Sequence, residues 1–269
     1  MKELTIGIDI GGTNTKYGIV DKDGHVVVHG SISTTEYEEF KDYFKGLAAA
    51  IRKAIETVKS DDHKILGIGV GAANGNYYKG TIERATNLKW KGIIPLADML
   101  KEEFDMPAII TNDANAAAVG EMVYGAAKGM KDFIVITLGT GLGSGFVSNG
   151  MLLNGKHGIA GEVGHTSVNP AGRFCNCGKR GCLETYVSAT GIKRTVYKLL
   201  ADYLEPSELR GISFDNLNTK MITESAIRGD VVALAAFEYT GRILGMKLAE
   251  TVVHTDPEAI FLFGGLSLA

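Results

Sequence analysis

His165, Cys175, Cys177 and Cys182 stand within eighteen residues of one another. Three thiolates and one imidazole make a complete tetrahedral Zn²⁺ set that leaves no position open to substrate, which is a structural site rather than a catalytic one. Gly178 and Gly181 supply the turns that so small a knuckle needs. The bland alternative is three buried free cysteines, but these would have to cluster by chance among glycines. An iron–sulfur cluster would want a fourth cysteine, which the chain lacks. Glu162 and Glu184 lie just outside the ligand set. Carboxylates there suggest a metal-fixed loop that presents acceptors to something polar. His165 could bind the metal with one ring nitrogen and donate the other N–H to that same polar ligand.

Two glycine segments could hold phosphate. Gly11-Gly12-Thr13-Asn14-Thr15 follows an apolar run ending in Asp9. Backbone N–H groups in such a turn can approach oxyanions, Thr13 adds a hydroxyl, and Asp9 could hold a water on Mg²⁺. The second segment, LGTGLGSG at 138–145, also joins two strands rather than a strand and a helix. No lysine follows it and its spacing is not G-x-G-x-x-G, which argues against P-loop and dinucleotide-binding folds. Two strand–Gly/Thr–strand hairpins about 130 residues apart suggest a duplicated architecture in which both address one phosphate chain. The ordinary alternative for each is a plain hairpin turn. Asp113, in NDANAAA at 112–118, follows a strand and opens a helix. The commonest role for an Asp there is the N-cap; the other is a general base at the carboxyl end of a strand, where α/β clefts open. HExxH and GxSxG patterns are absent, which disfavours zinc-protease and α/β-hydrolase chemistry.

The elements that must position these groups are legible in outline. LTIGIDI, KYGIV and VVVHGSIS read as three antiparallel strands. Phe40, Phe44, Leu47, Ile51, Ile55 and Val58 recur at helical spacing, with Thr35 and Glu38 placed for a capping box. ILGIGVG (65–71) and AIIT (108–111) read as buried strands, with a short helix over 95–104 opened by Pro95. Strands follow at 132–139 and 144–150, helices at 190–204, 219–228 and 230–254, and a last strand in AIFLFGG. Leu234, Phe237, Leu244 and Leu248 form the apolar face of the longest helix.

Composition sets the outer bounds. The chain has 269 residues, of which 35 are glycine, about 13% against the usual ~7%. Thirteen of these fall between residues 138 and 191, and glycine at that density usually means sharp turns or backbone pressed close to a ligand. Net charge is −3 with no basic stripe, which disfavours a nucleic-acid partner. No segment approaches the ~20 apolar residues of a membrane span, and the start, MKELTIGIDIGG, does not read as a signal peptide. Three clustered cysteines make no disulfide framework, so the expectation is a soluble, cytoplasmic protein without a membrane partner.

These motifs together resemble the ROK (repressor, open reading frame, kinase) family of sugar kinases and sugar-responsive repressors, and most closely its glucokinase-like members. The resemblance is carried by DIGGT at 9–13, NDANAAA at 112–118, LGTGLGSG at 138–145, GIAGEVGH at 158–165, CNCGKRGCLE at 175–184 and FLFGG at 261–265. It implies an α/β, actin-like (ribonuclease-H-like) two-lobed ATPase fold with an interlobe cleft and a small zinc knuckle. The lobes are expected at 1–111 and 112–269. The implied activity is ATP-dependent phosphorylation of a hexose, most closely glucose, with other hexoses and N-acetylhexosamines as alternatives. Asp113 then resembles the general base. Asn87, Asn112, Glu162, His165 and Glu184, with Asp113 itself, resemble the sugar contacts. His165, Cys175, Cys177 and Cys182 resemble the structural Zn²⁺ site. Asp9, Gly11, Gly12, Thr13, Thr140 and Gly141 resemble the phosphate–Mg²⁺ cradle, and Gly264 with Gly265 the loop under adenosine. ATP, Mg²⁺ and a sugar are the implied small molecules, and a homodimer or homotetramer the implied assembly.

Two departures from the family pattern stand out. Many members carry a Gly-x-Pro-Gly turn after the strand matching ILGIGVG; here it is Gly71-Ala72-Ala73-Asn74-Gly75-Asn76. Members also continue for several dozen residues past the last Gly-Gly, so the second lobe is expected to lack its end. Repressor-type relatives carry a helix-turn-helix ahead of DxGxT, whereas Asp9 stands nine residues from the start of this sequence. A non-catalytic sugar sensor on the same fold would be expected to lose the base, and Asp113 is present.

Overall fold

The computed structural model describes residues 2–60, 62–85 and 87–269. They form two compact units. The first runs to Gly129 and takes in Asn154–Ala160; the second comprises Met130–Leu153 and Gly161–Ala269.

The first unit is built on β1 (Lys2–Ile10), β2 (Asn14–Asp21) and β3 (Val26–Ser33), an antiparallel meander. Along β1, Leu4, Ile6, Ile8 and Ile10 are buried while Thr5 and Asp9 face out. The period-2 alternation of a strand thus sends Asp9 to the face away from the core. Helix α1 (Phe40–Val58) returns the chain to β4 (His63–Ala72), which lies parallel to β1. A small antiparallel sheet follows, β5 (Gly75–Asn76), β6 (Thr81–Glu83) and β7 (Ile93–Ile94), which the sequence pattern does not announce. Helix α2 (Leu96–Phe104) leads to β8 (Ala108–Thr111), parallel to β4. The sheet order is β3-β2-β1-β4-β8.

Two local expectations change. Helix α1 starts at Phe40 with Glu39 as its N-cap and no side-chain cap bond. Thr35 is too far upstream for the capping box; its hydroxyl pairs with Ser33 at 3.2 Å, and Glu38 pairs with Lys89. The buried stripe of α1 also centres on Tyr43, Leu47 and Ile51, with Phe40 and Phe44 only partly covered. The first unit extends past residue 111 through helix α3 (Asp113–Tyr124), because α3 packs on β4. A Cβ on Gly71 would stand 3.1 Å from the Ala116 methyl and 3.6 Å from the Asp113 Cα, so the expected boundary at 111/112 cuts through a packed contact.

The second unit repeats the plan. Strands β9 (Phe133–Leu138), β10 (Leu142–Ser148) and β11 (Met151–Leu152) form an antiparallel meander. Helices α4 (Ala189–Asp202), α5 (Thr219–Ile227) and α6 (Val231–Thr255) lead to β12 (Ala259–Phe263), parallel to β9. The order β11-β10-β9-β12 is that of β3-β2-β1-β4, which is the duplication inferred from the two glycine hairpins. The core of this unit gathers Ile134, Ile136, Leu183, Ile192, Val196, Val232, Ala236 and Ile243. Helix α6 turns most of the expected face inward: Phe237, Leu244 and Leu248 pack partly buried against the core, beside the fully buried Val232, Ala233, Ala236 and Ile243, while Leu234 is exposed. Among the described residues no helix is long and apolar enough to cross a membrane.

Candidate functional site

In the first unit the GGTNT turn joins β1 and β2, with the Gly11 N–H bonded to the Asn14 carbonyl at 3.1 Å. Asp9 pairs in register with Lys16, and Ile10 with Thr15. The turn is held from behind by buried hydroxyls that sequence reasoning missed. Thr15 Oγ1 pairs with Tyr43 Oη at 2.7 Å and with Thr34 Oγ1 at 3.0 Å, while the Thr34 N–H donates to the Thr13 carbonyl at 2.8 Å. The signal was available only in hindsight, since Thr15 sits inside the motif but points away from it. Gly12 meets the loop carrying Asn87: a Cβ there would stand 2.9 Å from the Asn87 carbonyl. Lys91 donates to the carbonyls of Ala85 and Leu88, so this nearby cation shapes the Asn87 loop.

The N-terminus of α3 bears on one of the two readings of Asp113, the helix cap. The cap is Asn112, whose Oδ1 accepts from the Ala114 N–H at 2.8 Å. Asp113 is the first helical residue; its Oδ1 accepts from the same N–H at 2.9 Å. The commonest role for an Asp at a helix start is therefore filled by its neighbour. The protein around Asp113 disfavours its charge and raises its pKa, against the lowering pull of the helix N–H groups. The residue nevertheless keeps an open face, and solvent there screens the penalty. Asp9 is raised as well, first by desolvation and then by the negative charge of Asp113, with Lys16 pulling it down. Two carboxylates that feel each other at the mouth of a glycine turn fit a divalent cation, which relieves their repulsion.

In the second unit the 138–145 loop joins β9 and β10, closed by the Gly139 N–H on the Gly141 carbonyl at 3.0 Å. Helix α4 begins against it: the Ala189 N–H bonds the Gly139 carbonyl, and Thr190 Oγ1 bonds the Thr140 carbonyl. Glu184 Oε2 accepts from the Leu142 N–H at 3.0 Å, and a Cβ on Gly141 would stand 2.4 Å from that oxygen. An expected phosphate residue and an expected sugar contact thus touch. Ser144, buried on β10, donates to the Gly161 carbonyl and accepts from the Val163 N–H at 3.1 Å. That pins the turn holding Glu162 and His165, and it is a second role the sequence did not reveal. Gly264 follows β12 with φ +98°, and a Cβ there would stand 2.4 Å from the Leu138 carbonyl oxygen; Gly265 comes next.

The four donors of the knuckle converge. His165, Cys175, Cys177 and Cys182 offer ligand atoms that all lie within 4.8 Å of one another. Cys177 and Cys182 sulfurs are 3.6 Å apart, and Cys175 Sγ is 3.8 Å from His165 Nδ1. Burial, and then hydrogen bonds from its S–H to the other two cysteine sulfurs, pushes Cys182 up to about 12. A dication in the cluster would replace those protons, so the donor set fits a soft, four-coordinate metal. The knuckle is folded by the Gly178 N–H on the Cys175 carbonyl and the Val168 N–H on the Gly181 carbonyl. Cys175 Sγ also lies 3.9 Å from Glu184 Oε1, which ties the cluster to the carboxylate on the glycine loop.

The two units give a mixed α/β fold of duplicated plan, each with a strand–Gly/Thr–strand hairpin, and this is the fold of the ROK sugar kinases. The chain belongs to the ROK family, whose profile matches residues 5–269. It is 38% identical over 269 residues to a glucokinase of Halalkalibacterium halodurans, covering 98% of this chain and 81% of that protein. It is 30% identical to a xylose repressor of Caldicellulosiruptor bescii, covering 96% of this chain and 64% of that one. Its fold matches the crystal structure of a ROK glucokinase from Streptomyces griseus in complex with glucose and AMPPNP, with a TM-score of 0.79 and 35% identity over 98% of this chain and 84% of that one.

Proposed function

We propose that this protein transfers the γ-phosphoryl group of ATP to glucose at its 6-hydroxyl, with Asp113 as general base. The observation that carries the reading is Asp113 at the start of α3, with the helix cap supplied by Asn112 and its charge felt by Asp9. Phosphoryl transfer asks a protein for positioning and charge neutralisation more than for covalent help. The N–H groups of Gly12 and Thr13, and those of Thr140 and Gly141, would meet phosphate oxygens, while the Gly11 N–H closes its turn on the Asn14 carbonyl. Asp9 would hold Mg²⁺ through its waters, and that ion neutralises phosphate charge when bound. Asp113 orients the attacking hydroxyl and accepts its proton as the oxygen bonds phosphorus and ADP departs.

Asn87, Asn112, Glu162, His165 and Glu184 are the sugar contacts in this reading. Carboxylates and amides suit a sugar because each oxygen accepts a hydroxyl proton. Asn112 uses Oδ1 for its cap, which leaves its Nδ2 to donate. Zn²⁺ on His165, Cys175, Cys177 and Cys182 would hold rigid the loop that carries Glu184 and the turn that carries Glu162. Gly264 and Gly265 lie under adenosine. The Mg²⁺ and Zn²⁺ identities, a homo-oligomeric state and a cytoplasmic location belong to the same proposal.

A coupled ADP-release assay over a panel of hexoses and N-acetylhexosamines tests it. Glucose should give the highest kcat/KM. ADP release that no sugar stimulates, alongside retained sugar binding, would replace the kinase with a sugar-binding regulator.

A further inference from the structure

Asn76 stands in the run that departs from the Gly-x-Pro-Gly pattern, and phosphoryl transfer as described does not use it. Its side chain is 7% exposed, so its carboxamide needs partners within the protein. It has them at both ends. Oδ1 accepts from the N–H groups of Tyr78 at 3.1 Å and Lys79 at 3.2 Å, and the Gly80 N–H closes the turn on the Asn76 carbonyl at 3.0 Å. Nδ2 donates to the carbonyl of His157, 81 positions along the chain, at 3.3 Å. Gly158 packs on the same group: a Cβ there would stand 3.4 Å from Oδ1.

His157 lies in the loop Asn154–Ala160, which packs with the first unit although the chain up to Leu153 and from Gly161 onward belongs to the second. The loop closes on itself through the Ala160 N–H and the Asn154 carbonyl at 3.2 Å. Glu162 follows two residues later, in the turn that Ser144 pins. The chain therefore enters the Glu162–His165 turn with an anchor on each side, Asn76 before it and Ser144 at it.

We propose that Asn76 is a positioning residue for sugar recognition: its amide holds the His157 carbonyl and so sets the path of the chain into Glu162–His165. This rests on the reading of Glu162 and His165 as sugar contacts. A carboxamide is required because the side chain must accept and donate at once. A carboxylate of the same size accepts from Tyr78 and Lys79 but cannot donate at neutral pH. Asn76→Asp therefore keeps the turn and removes the latch, whereas Asn76→Ala removes both.

The test compares wild type with Asn76→Asp in three measurements: hydrogen exchange of amides 154–160, sugar Kd by calorimetry, and separate KM values for sugar and ATP. Faster exchange in 154–160 is expected, with sugar Kd and KM raised about tenfold, the scale of one lost buried hydrogen bond. ATP KM and kcat should stay within about twofold. A merely structural role would move both substrates together, and that result overturns the inference. Unchanged exchange overturns the latch. Faster exchange with unmoved sugar Kd and KM overturns the positioning role. A wild-type chain that turns over no hexose defeats the kinase reading instead, and the sugar Kd of the variant still decides this one.

Discussion

Asp113→Asn separates proton acceptance from everything else Asp113 does. The two side chains have the same shape, and an amide oxygen can keep the bond that Asp113 Oδ1 now accepts from the Ala114 N–H at 2.9 Å. Asn112 keeps the helix capped. Two opposed changes bear on stability. The folded-state pKa of Asp113 is raised, so its ionised form is disfavoured in the fold; that penalty is absent below the unfolded pKa and grows as pH rises through the folded value. A neutral amide removes it. The same substitution forfeits the attraction of a carboxylate for the helix N-terminus, about 0.3–1 kcal/mol. The urea midpoint should therefore stay close to wild type. Turnover should not: removing a general base costs roughly 10²–10⁴ in kcat, or about 3–5 kcal/mol at ~1.36 kcal/mol per decade. Sugar Kd from calorimetry should change by less than about fivefold, because the hydrogen-bonding shape persists. In wild type, kcat/KM should fall as pH drops through a midpoint above the ordinary carboxylate value, since the protonated acid cannot accept the hydroxyl proton. A variant that keeps kcat within tenfold of wild type would refute Asp113 as the base. A variant whose sugar binding falls as far as its kcat would make it a binding residue only.

The knuckle should contain one zinc per chain by elemental analysis, and Cys177→Ser should lower both metal content and unfolding temperature. Cys177 is exposed, and surface substitutions usually stay within about 0.5 kcal/mol, so a larger loss reports a ligand; a variant with neither loss removes Cys177 from the set. Tyr43→Phe should cost about 1–2 kcal/mol in urea unfolding, because Thr15 loses one of two buried partners and keeps Thr34. A neutral result would mean that the Thr15–Thr34 pair alone supports the GGTNT turn.

How much was readable in the sequence follows from how each feature is encoded. Strands β1, β4 and β9 are continuous apolar runs bounded by glycine, and such runs need no partner to be recognised. The β5–β7 sheet was not readable, because strands of two or three residues carry no period. Helix starts were readable to within a few residues, but the cap itself was not: Thr35 and Glu38 have the right spacing and the wrong distance from Phe40. The thiol cluster was the most legible part of the site, since its ligands are close in sequence. Asp113 was ambiguous because a cap and a base want the same residue at the same place; the structure gives the cap to Asn112. Ser144 and Tyr43 were invisible for a different reason. Each acts on a segment distant in sequence, and nothing in its own neighbourhood signals that.

The glycine excess takes a different meaning from the one its density suggests. Glycine-rich backbone invites the reading of close approach to a ligand. Several of these glycines instead allow close approach of the protein to itself. A Cβ on Gly181 would stand 1.7 Å from the Asn169 carbonyl, and one on Gly164 would stand 2.5 Å from that of Leu142. At Gly141 the intruding atom would meet Glu184, and at Gly12 the Asn87 carbonyl. Both of those contacts join a phosphate hairpin to a residue expected to touch sugar. Within each unit, then, a hairpin expected to hold phosphate packs across a glycine on a residue expected to touch sugar. In the proposed reaction a side chain there would separate two groups that phosphoryl transfer needs held in fixed register, where an error of about 1 Å can cost 10²-fold in rate. On that proposal these glycines act by what they let the protein do to its own loops, and a ligand need not touch them.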